Sequence, residues 1–331
     1  MTLPSGPHGG DGRLLAASYG LDPASVLDLS VSLNPFAPPA ATVAARHLAA
    51  SVGRYTDAID VAVATTAMAD ALGVDVGRVL VTSGGAEAIA LVAAELGRGW
   101  VGSPEFSLYA RHLVTVDPAG PEFRSDPNNP TGLLAPFGAT AGVWDEAFYP
   151  LATGRWSRRS PGPGRAVPED GAVVVGSLTK VLACPGLRLG YVIGPADGGA
   201  ALGHPDLLER VAARQARWSV STLGLAALPD LLATVDLVRW AAQIAAARAE
   251  LTDVLVRHGL SPRPSSANFV LVDAAAGLRA ALAPHGVVVR DCSSFGLPDS
   301  VRIAVPDEDG LARLDAALGL VRDGVADAVL P

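Results

Sequence analysis

The chain has 331 residues, half of them hydrophobic and 18% charged, with a net charge of −8. That supplies enough apolar material for a sizeable core, and it argues against a disordered composition or a globally basic surface for nucleic acid. Cys184 and Cys292 are the only cysteines, so no disulfide framework and no clustered metal site is expected. The apolar runs are interrupted well short of a membrane span. The N-terminus lacks a basic segment followed by an apolar run, so no secretory signal is expected and the reading is cytoplasmic.

In chain order, residues 1–40 are rich in Gly and Pro and read as an arm. Thr42 to Leu72 is Ala-rich and helical in character. Val76–Val81 reads as a buried strand running into Thr82-Ser-Gly-Gly-Ala-Glu, and Glu87–Leu96 has helical periodicity. Strand-like runs follow near Val101, Gly142–Trp144, Ala172–Val175 and Leu189–Ile193, separated by loops and shorter helices. This alternation predicts an α/β domain, a mostly parallel sheet with helices packed on it. Leu151–Asp170 is a Gly/Pro/Arg-rich connector without periodicity. Leu223 to His258 reads as one or two helices leading into a second domain. There Asn268–Val272, Val287–Arg290 and Val301–Ala304 look like strands, while Ala275–Ala283 and Leu311–Val321 look like helices. The expected organisation is an arm (1–40), a large domain (41–222) and a smaller C-terminal α/β domain (223–331).

Of 25 basic residues all but one are arginine, and the exception is Lys180. Arginine stays protonated at any relevant pH, whereas a desolvated lysine can lose its proton and attack a carbonyl carbon. Lys180 closes Ser177-Leu-Thr-Lys, directly after a predicted strand, and Arg188 follows shortly. Two hydroxyls and a guanidinium in that spacing can converge on one phosphate. The turn Ser83-Gly-Gly-Ala-Glu is either an anion cradle at a helix N-terminus or simply a tight turn. In Asp126-Pro-Asn-Asn-Pro-Thr-Gly the prolines and glycine aim the Asn129 amide at a fixed spot, unless the segment is only a surface turn. Asp145 ends a buried-looking strand, where a carboxylate needs a cationic partner or serves as a helix N-cap. Arg290 and Arg302 fall on two neighbouring predicted strands, and two guanidiniums at one site suit a substrate with two anionic ends.

Taken in order, these motifs resemble fold-type-I pyridoxal-phosphate (PLP) enzymes over most of the chain. The resemblance implies a seven-stranded-type sheet in the large domain and a homodimer. It implies that Lys180 bonds the cofactor aldehyde, Asp145 pairs with the protonated pyridine nitrogen, Asn129 bonds the phenolic oxygen and Tyr109 stacks on the ring. The cofactor phosphate would sit on the Gly85 and Ala86 amides with Ser177, Thr179 and Arg188, and Tyr55 would reach it across the dimer interface. No metal is implied.

Within that superfamily the chain is similar to the histidinol-phosphate aminotransferase group, and more narrowly to the threonine-phosphate decarboxylases of cobalamin biosynthesis. The strings carrying this are His8-Gly-Gly, Ser32-Leu-Asn34-Pro, Asp145-Glu-Ala-Phe148, Ala267-Asn-Phe and Arg290-Asp-Cys-Ser-Ser-Phe. This narrower likeness implies that Arg302 takes a substrate carboxylate and Arg290 a substrate phosphate, while His8, Gly9 and Asn34 close over the ligand. Aminotransferases of the sister group usually carry Tyr where Phe148 stands. The intervals Tyr109–Asn128 and Gly132–Trp144 are short for the family, and Asp11, Thr56 and Ser221 depart from its usual residues. The expected reaction is decarboxylation of threonine phosphate to aminopropanol phosphate. The alternatives are amino transfer by the same residues and a non-catalytic binding protein that keeps the fold. The choice between the two reactions is one of substrate pose, that is, which bond to the α-carbon stands perpendicular to the ring. No nucleic-acid or membrane partner is expected.

Overall fold

The computed structural model describes residues 9–159 and 171–327, and it is α/β with two sheets. The larger sheet has seven strands in the order β2 (Val79–Thr82), β8 (Gly190–Ile193), β7 (Val173–Ser177), β6 (Val143–Asp145), β5 (Glu122–Ser125), β3 (Arg98–Val101) and β4 (Thr115–Val116). Strand β8 runs antiparallel to both neighbours, and the other pairings are parallel. Central strands such as β7 are buried on both faces, which is why they read as unbroken Val runs rather than alternating ones.

Helices cover both faces of this sheet. Helix α3 (Ala58–Leu72) starts on a capping box between Asp57 and Asp60 and stops at Gly73, whose φ of 69° suits glycine. It packs with α2 (Ala40–Ser51) and α9 (Thr222–Leu232) on one side, while α4 (Gly84–Leu96) and α8 (Leu207–Arg214) lie on the other. Short helices α5 (Leu108–His112), α6 (Tyr149–Thr153) and α7 (Leu178–Val181) follow strand ends.

The second sheet has five strands in the order β1 (Leu27–Leu29), β11 (Val287–Asp291), β12 (Val301–Ala304), β10 (Phe269–Asp273) and β9 (Ser261–Pro262). Its core is closed by α10 (Leu237–Arg257), α11 (Leu278–Leu282) and α12 (Glu308–Asp327).

Two sequence-based boundaries move. Residues 12–29 are not a free arm: α1 (Gly12–Tyr19) packs Leu15 on Ala283 and Val288, and β1 adds a parallel edge to β11. The Gly/Pro-rich flanks hide a Leu-Asp-Leu strand too short to show a period. The domain boundary does not fall at residue 222 either. Helix α9 belongs to the larger core, and the 21-residue α10 gives Trp240 and Ile244 to that core but Leu251, Val254 and Leu255 to the smaller one. A continuous amphipathic helix carries no compositional break to mark such a crossing.

Between Gly132 and the start of β6 there is no helix or strand, whereas Tyr109–Asn128 still accommodates β4 and β5. The connector after residue 151 begins as α6, and its residues 160–170 lie outside the described part.

Candidate active site

Parallel α/β sheets present ligand sites beyond the carboxyl ends of their strands. Here Ser125, Asp145 and Val175 stand level across β5, β6 and β7, and Ser177 is level with Gly190 of β8 and Thr82 of β2. A cavity of about 330 Å³ opens over these ends and reaches across to the smaller sheet.

At its floor, α7 follows β7 directly and delivers Lys180. Burial, with Arg302 and Arg188 nearby, pulls the Lys180 amine down to about 8, against the opposing pull of Asp145. Asp145 faces the same cavity, and burial raises its pKa. Two donors offset that cost: the Ala147 amide to Oδ1 at 2.9 Å and the Tyr109 hydroxyl to Oδ2 at 2.8 Å.

A phosphate-sized cradle lies beside Lys180. Gly85 and Ala86 lie in the first turn of α4, and they line the cavity with Ser177, Thr179 and Arg188. The approach depends on small residues. A Cβ on Gly190 would stand 2.5 Å from the Gly84 carbonyl carbon, and one on Gly84 (φ +80°) would stand 2.6 Å from Arg188 Nη2. Thr179 Oγ1 is buried without a partner, a hydroxyl left for a ligand. Helix amides, two hydroxyls and a guanidinium fit a phosphate ester. A primary amine, a carboxylate and an amide beyond it fit the ring of PLP.

The opposite wall comes from the smaller sheet. Arg290 and Arg302 are direct partners across β11 and β12, so their side chains leave the same face. They are 4% and 7% exposed. Like charges directly opposite each other are costly in a sheet, and two guanidiniums presented on one face can take an anion. Burial lowers both pKa values, that of Arg302 to about 10. Arg302 donates to Asn129 Oδ1 and to Ser30 O at 3.4 Å, and it lies over the Phe269 ring at 4.6 Å. Arg290 donates to Ser294 Oγ at 3.0 Å.

Not every expected residue meets this cavity. Tyr109 does not line it, since its ring is fully buried and its hydroxyl serves Asp145, so the expected ring-stacking role is corrected. Phe106, three residues earlier in the same Pro-Glu-Phe-Ser-Leu-Tyr segment, does face the cavity. Asn34 is also corrected. Its side chain bonds the Val181 carbonyl at 3.0 Å and the Phe36 amide at 3.0 Å, and its backbone N–H donates to Lys180 O at 2.9 Å. It holds the Lys180 helix in place instead of facing a ligand. Gly9 lines the cavity with Ser30 and Val31, while His8 lies outside the described residues. Tyr55 is 76% exposed, tilted against Trp218 at 4.8 Å between centroids, and away from the cavity of its own chain. Phe148 lines the cavity.

Among the described residues, no group of three or more His, Cys, Asp or Glu could hold a metal ion. No described helix is long and apolar enough to cross a membrane.

A profile of the aminotransferase class I and II family matches residues 141–318. The histidinol-phosphate aminotransferase of Halobacterium salinarum is 32% identical, with the match covering 93% of this chain and 94% of that one. Two solved structures share the fold. That of histidinol-phosphate aminotransferase from Sinorhizobium meliloti, in complex with pyridoxal-5'-phosphate, has a TM-score of 0.74 at 20% identity over 98% of this chain and 96% of that one. That of L-threonine-O-3-phosphate decarboxylase from Porphyromonas gingivalis has a TM-score of 0.69 at 21% identity, covering 88% and 98%.

Proposed function

Because the chain belongs to the class I and II aminotransferase family, which is PLP-dependent, we propose that it moves the amino group of a small phosphate-bearing amine to a 2-oxo acid, as a histidinol-phosphate aminotransferase does. The observation that carries this reading is the single cavity that sets Lys180 and Asp145 at one end and the Arg290–Arg302 pair at the other. Bound PLP supplies an electron sink that weakens the bonds to a substrate α-carbon.

The chain's own residues do the rest. Lys180 would hold the cofactor covalently and, as the free amine, would carry a proton to and from the substrate α-carbon. Asp145 would keep the ring nitrogen protonated, with Tyr109 donating to Asp145. Asn129 accepts from Arg302 through Oδ1, which leaves its NH2 group to donate to the phenolic oxygen. Phe106, in the cavity wall, would offer the ring an apolar face. Gly85, Ala86, Ser177, Thr179 and Arg188 hold the phosphate of the cofactor. Arg302 takes a carboxylate and Arg290 a substrate phosphate, with Gly9 beside them in the cavity wall. A second copy of the chain belongs to this reading, with exposed Tyr55 reaching the neighbouring cofactor phosphate.

A second reading has an observation of its own. Phe148 lines the cavity where a tyrosine hydroxyl would give the phenolic oxygen a further donor. With that donor missing and both arginines engaged by one molecule, threonine phosphate would present its carboxylate, not its α-hydrogen, for cleavage. The bond to CO₂ would break with its electron pair passing to the cofactor, and Lys180 would return a proton to the α-carbon.

The test is direct. Borohydride treatment of the PLP-loaded protein followed by peptide mapping should tag Lys180. The loaded protein is then given histidinol phosphate with 2-oxoglutarate, or threonine phosphate alone. Glutamate formation supports amino transfer. CO₂ release from threonine phosphate without glutamate formation replaces it with the decarboxylase reading. No tag on Lys180 removes both.

A further inference from the structure

One largely buried carboxyl has no part in the scheme above. Glu105 stands just before Phe106, in the segment that leads into α5. Its Oε1 accepts the Ser125 N–H at 2.8 Å, and its Oε2 accepts the Ser125 O–H at 2.6 Å and the Phe106 N–H at 3.1 Å. Ser125 Oγ in turn accepts the Asn129 N–H at 2.8 Å, and Asn129 Oδ1 accepts from Arg302. A second strap joins the same two segments, because Asn128 Nδ2 donates to Pro104 O at 3.1 Å.

The direction of this relay is fixed at its start. Above its pKa of about 7 the Glu105 carboxylate can only accept, so the Ser125 hydrogen is committed to it and the oxygen is left to receive the Asn129 backbone N–H. Phe106, Asn129 and Arg302 line the cavity, whereas Glu105 and Ser125 do not. One carboxylate therefore ties together two cavity-wall groups that lie on separate loops.

We propose that Glu105 is a positioning residue for the reaction: through Ser125 it fixes Asn129, and through the adjacent amide it fixes Phe106, where each meets the cofactor ring. The inference rests on the cofactor reading above. A group that only held the fold would leave the electronic state of the bound cofactor unchanged once the protein had folded. A group that aims Asn129 at the phenolic oxygen sets that state, because a weaker hydrogen bond to the phenolate makes the lysine–cofactor linkage hold its proton to higher pH.

The test titrates the absorbance of the PLP-loaded protein against pH for wild type, Glu105→Gln, Ser125→Ala and the double variant, with circular dichroism as the check on folding. Glu105→Gln keeps the shape but turns an NH2 group toward donors. Ser125→Ala cuts the relay and spares the Glu105–Phe106 bond. Each single variant should raise the titration midpoint by about half a unit, and the double variant should exceed the larger single effect by little. If Glu105→Gln fails to fold, Ser125→Ala decides alone. Folded variants with wild-type midpoints overturn the proposal and leave the cofactor reading standing. A wild-type protein that takes up no PLP on Lys180 overturns the cofactor reading, and this inference falls with it.

Discussion

The Tyr109 hydroxyl donates to Asp145 Oδ2 at 2.8 Å from a position wholly inside the protein. Burial and the neighbouring carboxylate push the Tyr109 pKa up, so the phenol keeps its proton and remains a donor. Asp145 is thereby held ionised against its own burial, with one further donor in the Ala147 amide. Tyr109→Phe removes one of these two supports and leaves the ring packing intact. Expected is a roughly tenfold fall in kcat with KM little changed, the cost of a hydrogen bond to a charged acceptor. Steady-state kinetics check it, and a wild-type kcat would show that Asp145 does not need the phenol.

Lys180 is enclosed, and two arginines bear on it. Its amine reacts only when neutral, and its pKa of about 8 lies well below the ordinary 10.5. The rate at which apo protein takes up PLP should therefore rise with pH and level off just above 8. Arg302→Gln removes one of the lowering charges and should move that midpoint upward. Stopped-flow absorbance between pH 6.5 and 10 reads both effects. A wild-type rate still climbing at pH 10 would contradict the environment described for the amine.

How much of this was legible beforehand depends on how local each signal is. Lys180, Asp145 and the Ser177-Leu-Thr-Lys turn were readable because each sits at a strand end, and strand ends follow from short apolar runs. The Arg290–Arg302 pairing was readable because two adjacent strands joined by a short loop have few ways to align. Which of Phe106 and Tyr109 faces the cavity was not readable. Three residues apart on one short segment, they differ only in which way the turn points, and the packing of α4 and β5 decides that. The same holds for Asn34, whose partner Val181 is distant in sequence. Glu105 gave no signal at all, because its meaning lies in Ser125 of another strand.

Gly84 tests the phosphate cradle. Its φ of +80° is costly for any side chain, and an added Cβ would meet Arg188 Nη2 at 2.6 Å. Arg188 can swing away, so the clash itself is relieved at the expense of the cradle. Gly84→Ala should lower stability by about 1–2 kcal/mol and weaken PLP retention during dialysis. Full retention together with an unchanged melting temperature would show that Arg188 takes no part in holding the phosphate.

The arginine pair makes opposite predictions for stability and for binding. Two buried guanidiniums facing each other repel, so Arg302→Met should leave the apo protein as stable as wild type or more so. The same change should raise KM for a carboxylate-bearing substrate by about 100-fold, the effect of removing one partner of a buried charge pair. Inhibition by inorganic phosphate should respond instead to Arg290→Met. If Arg302→Met weakened phosphate inhibition and left KM alone, the two assignments would have to be exchanged.

Acid–base stability follows from two buried carboxyls. Burial pushes Glu105 and Glu146 up to about 7 from 4.5. Glu146 Oε1 accepts the Arg158 N–H at 3.2 Å, and this bond, the Ser157 hydroxyl and the Arg158 charge offset its burial only in part. The folded chain therefore binds protons at these sites that the unfolded chain has released between pH 4.5 and 7. By linkage, stability falls as pH rises through that window and is flat above it. At about 1.4 kcal/mol for each pH unit between 4.5 and about 7, the two groups together set an upper bound of about 7 kcal/mol. Asp60, Glu95, Asp197, Asp273 and Asp315 act the other way, since their lowered pKa values contribute stability that is lost on acidification below about pH 4. Apo protein unfolded in urea should accordingly be most stable near pH 5 and weaker at pH 8. Glu146→Gln should flatten that slope and raise stability at pH 8 more than at pH 5. A slope of the opposite sign in wild type would mean that both carboxyls stay ionised in the folded interior at pH 5.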